Sequence, residues 1–210
     1  MNGKFSISSR LGCALLATAF LATVDGFSAH AQTLPQILTA RFEGKKLKVT
    51  GQDFALGATI LINGRQEKTK NSADNPTGEL VAKKGRKRIG PDQVVTIHVV
   101  NPAGAASGGF RFFGGLTITL SDQGKTINLE VGQQFLVNLG GGYGWQVAFD
   151  ELRNLVAVPT LLPILGAQGI FQPVARGTTS FKAKGQPLCD KDKPPCPQNT
   201  VEFEVTIAIE

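Results

Sequence analysis

The chain has 210 residues, 41% of them hydrophobic, with 25 Gly, 11 Pro and a formal net charge of +6. Its apolar content excludes a disordered chain, and its glycines keep no fixed period, which excludes a collagen-like one. What remains is a globular protein of short strands joined by many turns.

The first segment has the three-part grammar of a leader. Lys4 and Arg10 precede an apolar run from Leu11 to Val24, shorter than the roughly 20 residues a membrane-spanning helix needs. Ala29-His30-Ala31 then supplies a small-x-small cleavage pattern, so residues 1–31 are expected to be a signal peptide and Gln32 the mature N-terminus. Cys13 does not mark a lipoprotein, because Arg10 stands where a lipobox wants an aliphatic residue. The expected location is secreted or periplasmic, with no transmembrane anchor.

Residues 32–113 carry 13 Lys+Arg against 6 Asp+Glu, whereas residues 114–210 carry 7 against 9. This asymmetry places a domain boundary between 113 and 114 and gives the first half an attraction to polyanions.

In the first half, Leu47 and Val49 alternate with Lys46, Lys48 and Thr50, the period of a half-buried strand that Gly51 ends. The run Thr59 to Ile62 meets Asn63-Gly64, a hairpin signal because a type I′ turn needs positive φ at both central positions. A second hairpin is expected around KKGRKRIGPDQ, with VVTIHVV as its returning strand and Asn101-Pro102-Ala103-Gly104 as its stop. GQDFALGATILINGR followed by VVTIHVVNPAGAASGGFRF resembles an IPT/TIG domain over residues 34–113. The resemblance implies an immunoglobulin-like sandwich used as a spacer or protein-contact module, with no chemistry to carry over.

The second half opens with Leu116, Ile118 and Leu120 on alternate positions. The turn Ser121-Asp122-Gln123-Gly124 follows, then Ile127, Leu129 and Val131 on the same period. This pair reads as a hairpin. Phe135 to Leu139 makes another strand, stopped by Gly140 to Gly142, and residues 149–156 are the one candidate for a short helix. Val201, Phe203, Val205, Ile207 and Ile209 alternate strictly with Glu202, Glu204, Thr206 and Ala208, so the last strand has one core face and one solvent face.

LSDQGKTINLEVGQQFLVNL, GYGWQV, GIFQPVARGTTSFKA and the closing VEFEVTIAI follow one another in an order similar to the chagasin family of papain-type cysteine protease inhibitors. That resemblance covers residues 116–209 and implies a second immunoglobulin-like sandwich with contact loops at one end. The family's first loop reads Asn-Pro-Thr-Thr-Gly followed by an aromatic; here Gly142-Tyr143 and the nearby Trp145 match, and glycines replace the rest. Its second, glycine-rich loop corresponds to Gly166-Ala167-Gln168-Gly169. Gln186-Pro187-Leu188 lies where the family has Arg-Pro-Trp.

The chain offers little catalytic material. After loss of His30, His98 is the only histidine, and its place within VVTIHVV puts it opposite Val95, Ile97 and Val99, a strand-surface position with no triad partner indicated. GGGYGW lacks the Gly-Lys-Ser/Thr ending of a phosphate loop. Its plain role is a turn that carries Trp145 into the core; its sharper one is a binding tip with Tyr143 as an aromatic anchor. Cys189 and Cys196 flank a short proline-rich loop, and in an oxidising compartment they are expected to form a disulfide worth roughly 2–3 kcal/mol. Without a His or acidic pair at zinc spacing they do not make a metal site, and no cofactor is indicated. The basic run Lys83, Lys84, Arg86, Lys87 and Arg88 suits a solvated hairpin loop, or a contact for a cell-envelope polyanion. Without interleaved aromatics it does not suit specific nucleic-acid binding.

The expectation is therefore an all-β chain: two tandem immunoglobulin-like β-sandwiches, 32–113 and 114–210, after a cleaved signal peptide. It is expected to be non-enzymatic and to bind a protein partner through Gly142, Tyr143, Trp145, Gly166 and Gly169. A cysteine protease is one candidate partner and an envelope polyanion the alternative ligand.

Overall fold

Period-two alternation is realised as β-strand along most of the chain. The structure, a computed structural model, describes residues 33–149, 154–160, 163–188 and 199–210. The expected signal peptide and the Cys189–Cys196 pair lie outside these residues. Among the described residues the only helical pieces are two 3-10 turns, Gly85–Lys87 and Leu120–Asp122, so the fold is all-β.

The first eight strands are β1 (Gln36–Glu43), β2 (Lys46–Gln52), β3 (Thr59–Ile62), β4 (Arg65–Gln66), β5 (Thr69–Asn71), β6 (Glu79–Ala82), β7 (Val94–Val100) and β8 (Phe110–Phe113). They form two sheets, ordered β1-β2-β6-β5 and β4-β3-β7-β8. Leu47, Val49 and Leu80 of one sheet meet Ile60, Val95, Ile97 and Val99 of the other in a single buried cluster, which is a sandwich. The Asn63-Gly64 turn forms as expected, with φ of 48° and 79°, and pairs Ile62 with Arg65. Gly51 does not end its strand. It lies inside β2 beside a register shift in β1, where an added Cβ would stand 1.9 Å from the Gln36 carbonyl oxygen.

The hairpin expected around the basic run does not exist. β6 pairs with β2 and β5, whereas β7 pairs with β3 and β8, so residues 83–93 cross from one sheet to the other. The apolar faces of β6 and β7 fill the same core from opposite sides, which a hairpin within one sheet could not achieve. Gly85 and Ile89 are buried within the crossover, and Gly85 lies so close to Leu47 that a Cβ would come within 2.3 Å of it.

The second sandwich comprises β9 (Leu116–Ile118), β10 (Thr126–Leu129), β11 (Phe135–Asn138), β12 (Tyr143–Phe149), β13 (Leu155–Val158), β14 (Ala167–Pro173), β15 (Gly177–Pro187) and β16 (Val201–Ile209). Its sheets are ordered β13-β14-β11-β9 and β10-β16-β15-β12. Between them Phe135, Phe171, Phe181 and Phe203 form a ladder of rings with centroids 5.7–6.2 Å apart. The alternation of β16 holds: Phe203, Val205, Ile207 and Ile209 are buried while Glu202 and Glu204 are exposed.

Two expectations fail here. β9 and β10 are not a hairpin: β9 lies parallel to β11 and β10 parallel to β16, in opposite sheets. Alternation marks a strand but does not name its partner. The described residues of the expected helix 149–156 are not helical either: Phe149 ends β12, and Leu155 and Val156 belong to β13 and pair with Pro173 and Gln172, while 150–153 lie outside the described residues. There Leu155 buries its side chain in the core.

The chain crosses between sheets of the second sandwich through the Leu120–Asp122 turn, which carries a capping box. Asp122 Oδ2 accepts from the Thr119 N–H at 2.9 Å, and Lys125 Nζ donates to Asp122 Oδ1 at 2.9 Å. Partial burial pushes this carboxyl up, but the bonds from Lys125 and Thr119 outweigh it and hold it below the usual carboxylate range. A depressed carboxyl stabilises the fold fully above its unfolded value of about 3.9, and that support disappears as pH falls through the lower folded value. Asp122→Ala is expected to cost about 1 kcal/mol at neutral pH, as cap removals do. In urea titrations its deficit against the wild type should shrink at pH below about 3; a deficit constant with pH would refute this role.

All strand pairings join residues on the same side of Gly114, while residues Gln32–Glu210 cluster as one compact unit. A third apolar cluster bridges the sandwiches, with Phe113 against Leu136 and Ile170, flanked by Val94, Val158 and Ile164. At the junction, Cβ atoms on Gly114 and Gly115 would stand 2.0 and 2.2 Å from the Gly90 and Pro91 carbonyl oxygens. Only glycine lets the backbone pass there.

Candidate binding surface

Strand pairing brings the two expected loops together at one end of the second sandwich. Asn138, last residue of β11, pairs with Ala167, first of β14, so the turns at 139–142 and 163–166 emerge side by side. The Gly140 N–H donates to the Gly166 carbonyl at 3.1 Å. Gln168 fastens both turns: its Oε1 accepts from the Leu139 N–H at 2.6 Å and its Nε2 donates to the Gly166 carbonyl at 2.9 Å. Asn138 Nδ2 donates to the Leu165 carbonyl at 3.3 Å. Gly166 has a φ of 76°, and a Cβ there would approach Gly140 Cα to 2.9 Å. The glycines therefore permit close backbone contact, and the tip is braced.

β12 and β15 supply the rest. Tyr143 is paired with Pro187 and Trp145 with Gly185, while the Leu188 N–H donates to the Gly142 carbonyl at 3.2 Å. Trp145 packs half-buried on the core, its ring over Gly185 where a Cβ would clash at 2.7 Å. Its Nε1 donates to the Gly140 carbonyl at 3.0 Å. Trp145 thus holds the turn from beneath. Tyr143 lies against it with centroids 5.4 Å apart and is half-buried.

Of the five expected loop residues, Gly142, Tyr143, Trp145 and Gly166 share this end. Gly169 instead lies within β14 opposite Val137, where its φ of 154° and the nearby Phe171 ring give it a backbone role. Sequence reasoning missed Leu165 and Leu188, which are 94% and 69% exposed. They add exposed apolar surface beside the braced aromatic turn. The available signal was an apolar residue directly before glycine or a loop, at Leu165-Gly166 and Leu188.

The basic run is divided among different tasks. Arg88 Nε stands 2.9 Å from Glu67 Oε1, and Glu67 is only 7% exposed. This is an ion pair without hydrogen-bond alignment at that oxygen. Arg86 stacks 4.4 Å above the Phe42 ring. All five basic residues are exposed, two of them, Arg86 and Arg88, engaged with Phe42 and Glu67. His98 is half-buried on the face of β7 away from the core, with Nδ1 3.1 Å from the Ser107 carbonyl. Among the described residues there is no group of three His, Cys, Asp or Glu that could hold a metal ion, and no helix long and apolar enough to cross a membrane.

No family model and no curated protein matches the sequence. Among solved structures, the chain is similar to the cysteine protease inhibitor EhICP2 from Entamoeba histolytica, at 16% identity and a TM-score of 0.35 over 45% of this chain and 94% of that one. It is also similar to amebosin, at 16% identity and a TM-score of 0.27 over 45% of this chain and 97% of that one. A longer likeness, over 85% of this chain and 46% of that one, is to SGBP-B of the Bacteroides ovatus mixed-linkage glucan utilization locus, solved with a mixed-linkage heptasaccharide, at 12% identity and a TM-score of 0.28.

Proposed function

We propose that this chain is an exported, non-enzymatic binding protein that recognises a protein partner with the loop end of its second sandwich, the first sandwich serving as an IPT/TIG-like spacer. The observation that carries the reading is the hydrogen-bonded joining of the 139–142 and 163–166 turns, with Tyr143 on Trp145 and Leu165 and Leu188 exposed beside them. Loops on a rigid sandwich are where such folds place recognition, and a braced aromatic and aliphatic tip loses little entropy on binding. Export rests on the leader-like first 31 residues, and recovery of a mature chain beginning at Gln32 is its check.

The test uses a benzophenone amino acid in place of Tyr143 or Leu165, with Lys70 on the other sandwich as control. After illumination in envelope and culture-medium fractions of the producing cell, the tip positions are expected to cross-link one discrete protein that the control position does not. Cross-linking that is equal at all three positions, or absent at the tip, overturns the reading. A narrower version, inhibition of a papain-type protease, is favoured by Gly142-Tyr143 standing beside a second glycine turn, as in the chagasin family. Titration of papain is expected to give inhibition at micromolar protein that Tyr143→Ala weakens roughly tenfold, the loss typical of one aromatic anchor. An unaffected protease removes the narrower version and leaves the cross-linking result to decide the broader one.

A further inference from the structure

Among the described residues three sheet edges border one groove, which reaches the tip at Pro163, Ile164 and Leu165. β1, β8 and β9 each stand last in their sheets, and between them runs a groove of about 1200 Å³ to which both sandwiches contribute. That volume exceeds the usual range of small-molecule sites, about 300–1,000 Å³, and an open trough flanked by strand edges has the form of a seat for an extended chain. Its apolar lining includes Phe42, Phe110 and Phe112 from the first sandwich and Leu116 and Ile164 from the second. Phe42 and Phe112 meet edge to face, with centroids 5.2 Å apart.

The charge in this groove is of one sign. Arg41, Arg86 and Arg111 line it, accompanied by the neutral amides of Gln36, Gln133 and Gln134, and among the described residues no Asp or Glu does. Arg86 is held flat on Phe42. Arg111 Nη1 donates to Thr96 Oγ1, while Arg41 Nη2 stands 3.5 Å from Glu43 Oε1, outside the lining. Two of the three guanidiniums are thus positioned by neutral partners and keep their charge available. The edge itself is also open. The Gly114 N–H donates to the Gln93 carbonyl at 2.9 Å, and the alternation of an antiparallel ladder then turns the N–H and C=O of Arg111 away from β7.

We propose that this groove binds an extended acidic segment of a protein partner, which adds as a strand along β8. Its carboxylates would meet Arg41, Arg86 and Arg111, and its alternate apolar side chains would lie on the phenyl rings. Main-chain pairing to an open edge supplies affinity, and side-chain pockets on alternate positions supply selectivity. A polyanion fits less well, because the arginines are separated by rings rather than gathered on open surface, and a polyanion has no backbone donors to pair with the edge.

The probe is a fluorescein-labelled, end-blocked peptide of alternating Glu and Val, about ten residues long, the length of a long strand, titrated into the full chain at low ionic strength. It is expected to bind. The Lys-Val counterpart should not, and N-methylation of alternate peptide bonds should abolish binding by removing the strand's donors. Arg86→Gln and Arg111→Gln, each checked for unchanged thermal unfolding, are expected to weaken it roughly tenfold, the scale of a lost charge-assisted bond. Leu188 and Tyr143 lie at the tip and outside the groove lining, whereas Leu165 belongs to both, so Leu188→Asp should leave peptide binding intact while abolishing cross-linking from position 143; read at that position, the two readings can fail separately. No binding of the Glu-Val peptide, equal binding of the Lys-Val or N-methylated forms, or indifference to both arginine substitutions overturns the proposal. Arginine-dependent binding of heparin with none of the peptide overturns it in favour of a polyanion site.

Discussion

Phe181→Ala is expected to lower the unfolding free energy of the second sandwich by about 3–5 kcal/mol, the range for removing a fully buried phenyl ring. Phe181 is 0% exposed and stands between Phe171 and Phe203, edge to face with each. Its loss removes the ring contacts to Phe171 and Phe203 and opens a void in the core between the sheets. Trp145 is the single tryptophan in the sequence and packs against this same core, so its fluorescence reports this sandwich selectively. The urea midpoint read by tryptophan emission should fall sharply. A loss under about 1.5 kcal/mol would mean that the ring is not a fixed part of the core.

The second large effect belongs to the first sandwich. Arg88→Ala strips the buried Glu67 carboxylate of the guanidinium 2.9 Å away, and stranding a buried charge costs about 3–5 kcal/mol when the whole pair is buried. Arg88 is 44% exposed, so water shares in solvating the pair, and the expected loss is nearer 2 kcal/mol. Glu67→Met combined with Arg88→Met should recover most of it, because removing both charges also removes their desolvation. Circular dichroism in urea follows both variants. A double variant no more stable than Arg88→Ala alone would mean that the arginine acts through packing instead.

The local grammar of this chain was legible and its long-range pairing was not. Asn63-Gly64 announced its turn because two adjacent positive-φ positions admit few residue types, and Val201 to Ile209 announced a strand because its two faces see different solvents. No local rule assigned β9 to β11 and β10 to β16, since parallel neighbours are chosen by the shared core and not by the turn between them. The crossover at KKGRKR was missed for the same reason: charge suggested an exposed loop, whereas Gly85 and Ile89 draw it inward. The burial of Glu67 was equally hidden, because its partner Arg88 lies 21 positions away in sequence. At the tip, the glycines pointed to the correct turns, but exposure of Leu165 and Leu188 follows from where two sheets stop.

The parallel seat of β10 beside β16 bears on how the polypeptide acquires its shape during synthesis. β16 is an interior strand of its sheet yet the last of the described strands to be made, and it brings Phe203, Val205, Ile207 and Ile209 to the core. Until those residues leave the ribosome, β10 and β15 lack the neighbour that lies between them, and the phenylalanine ladder lacks a rung. A nascent chain stalled before Val201 therefore holds its second half open.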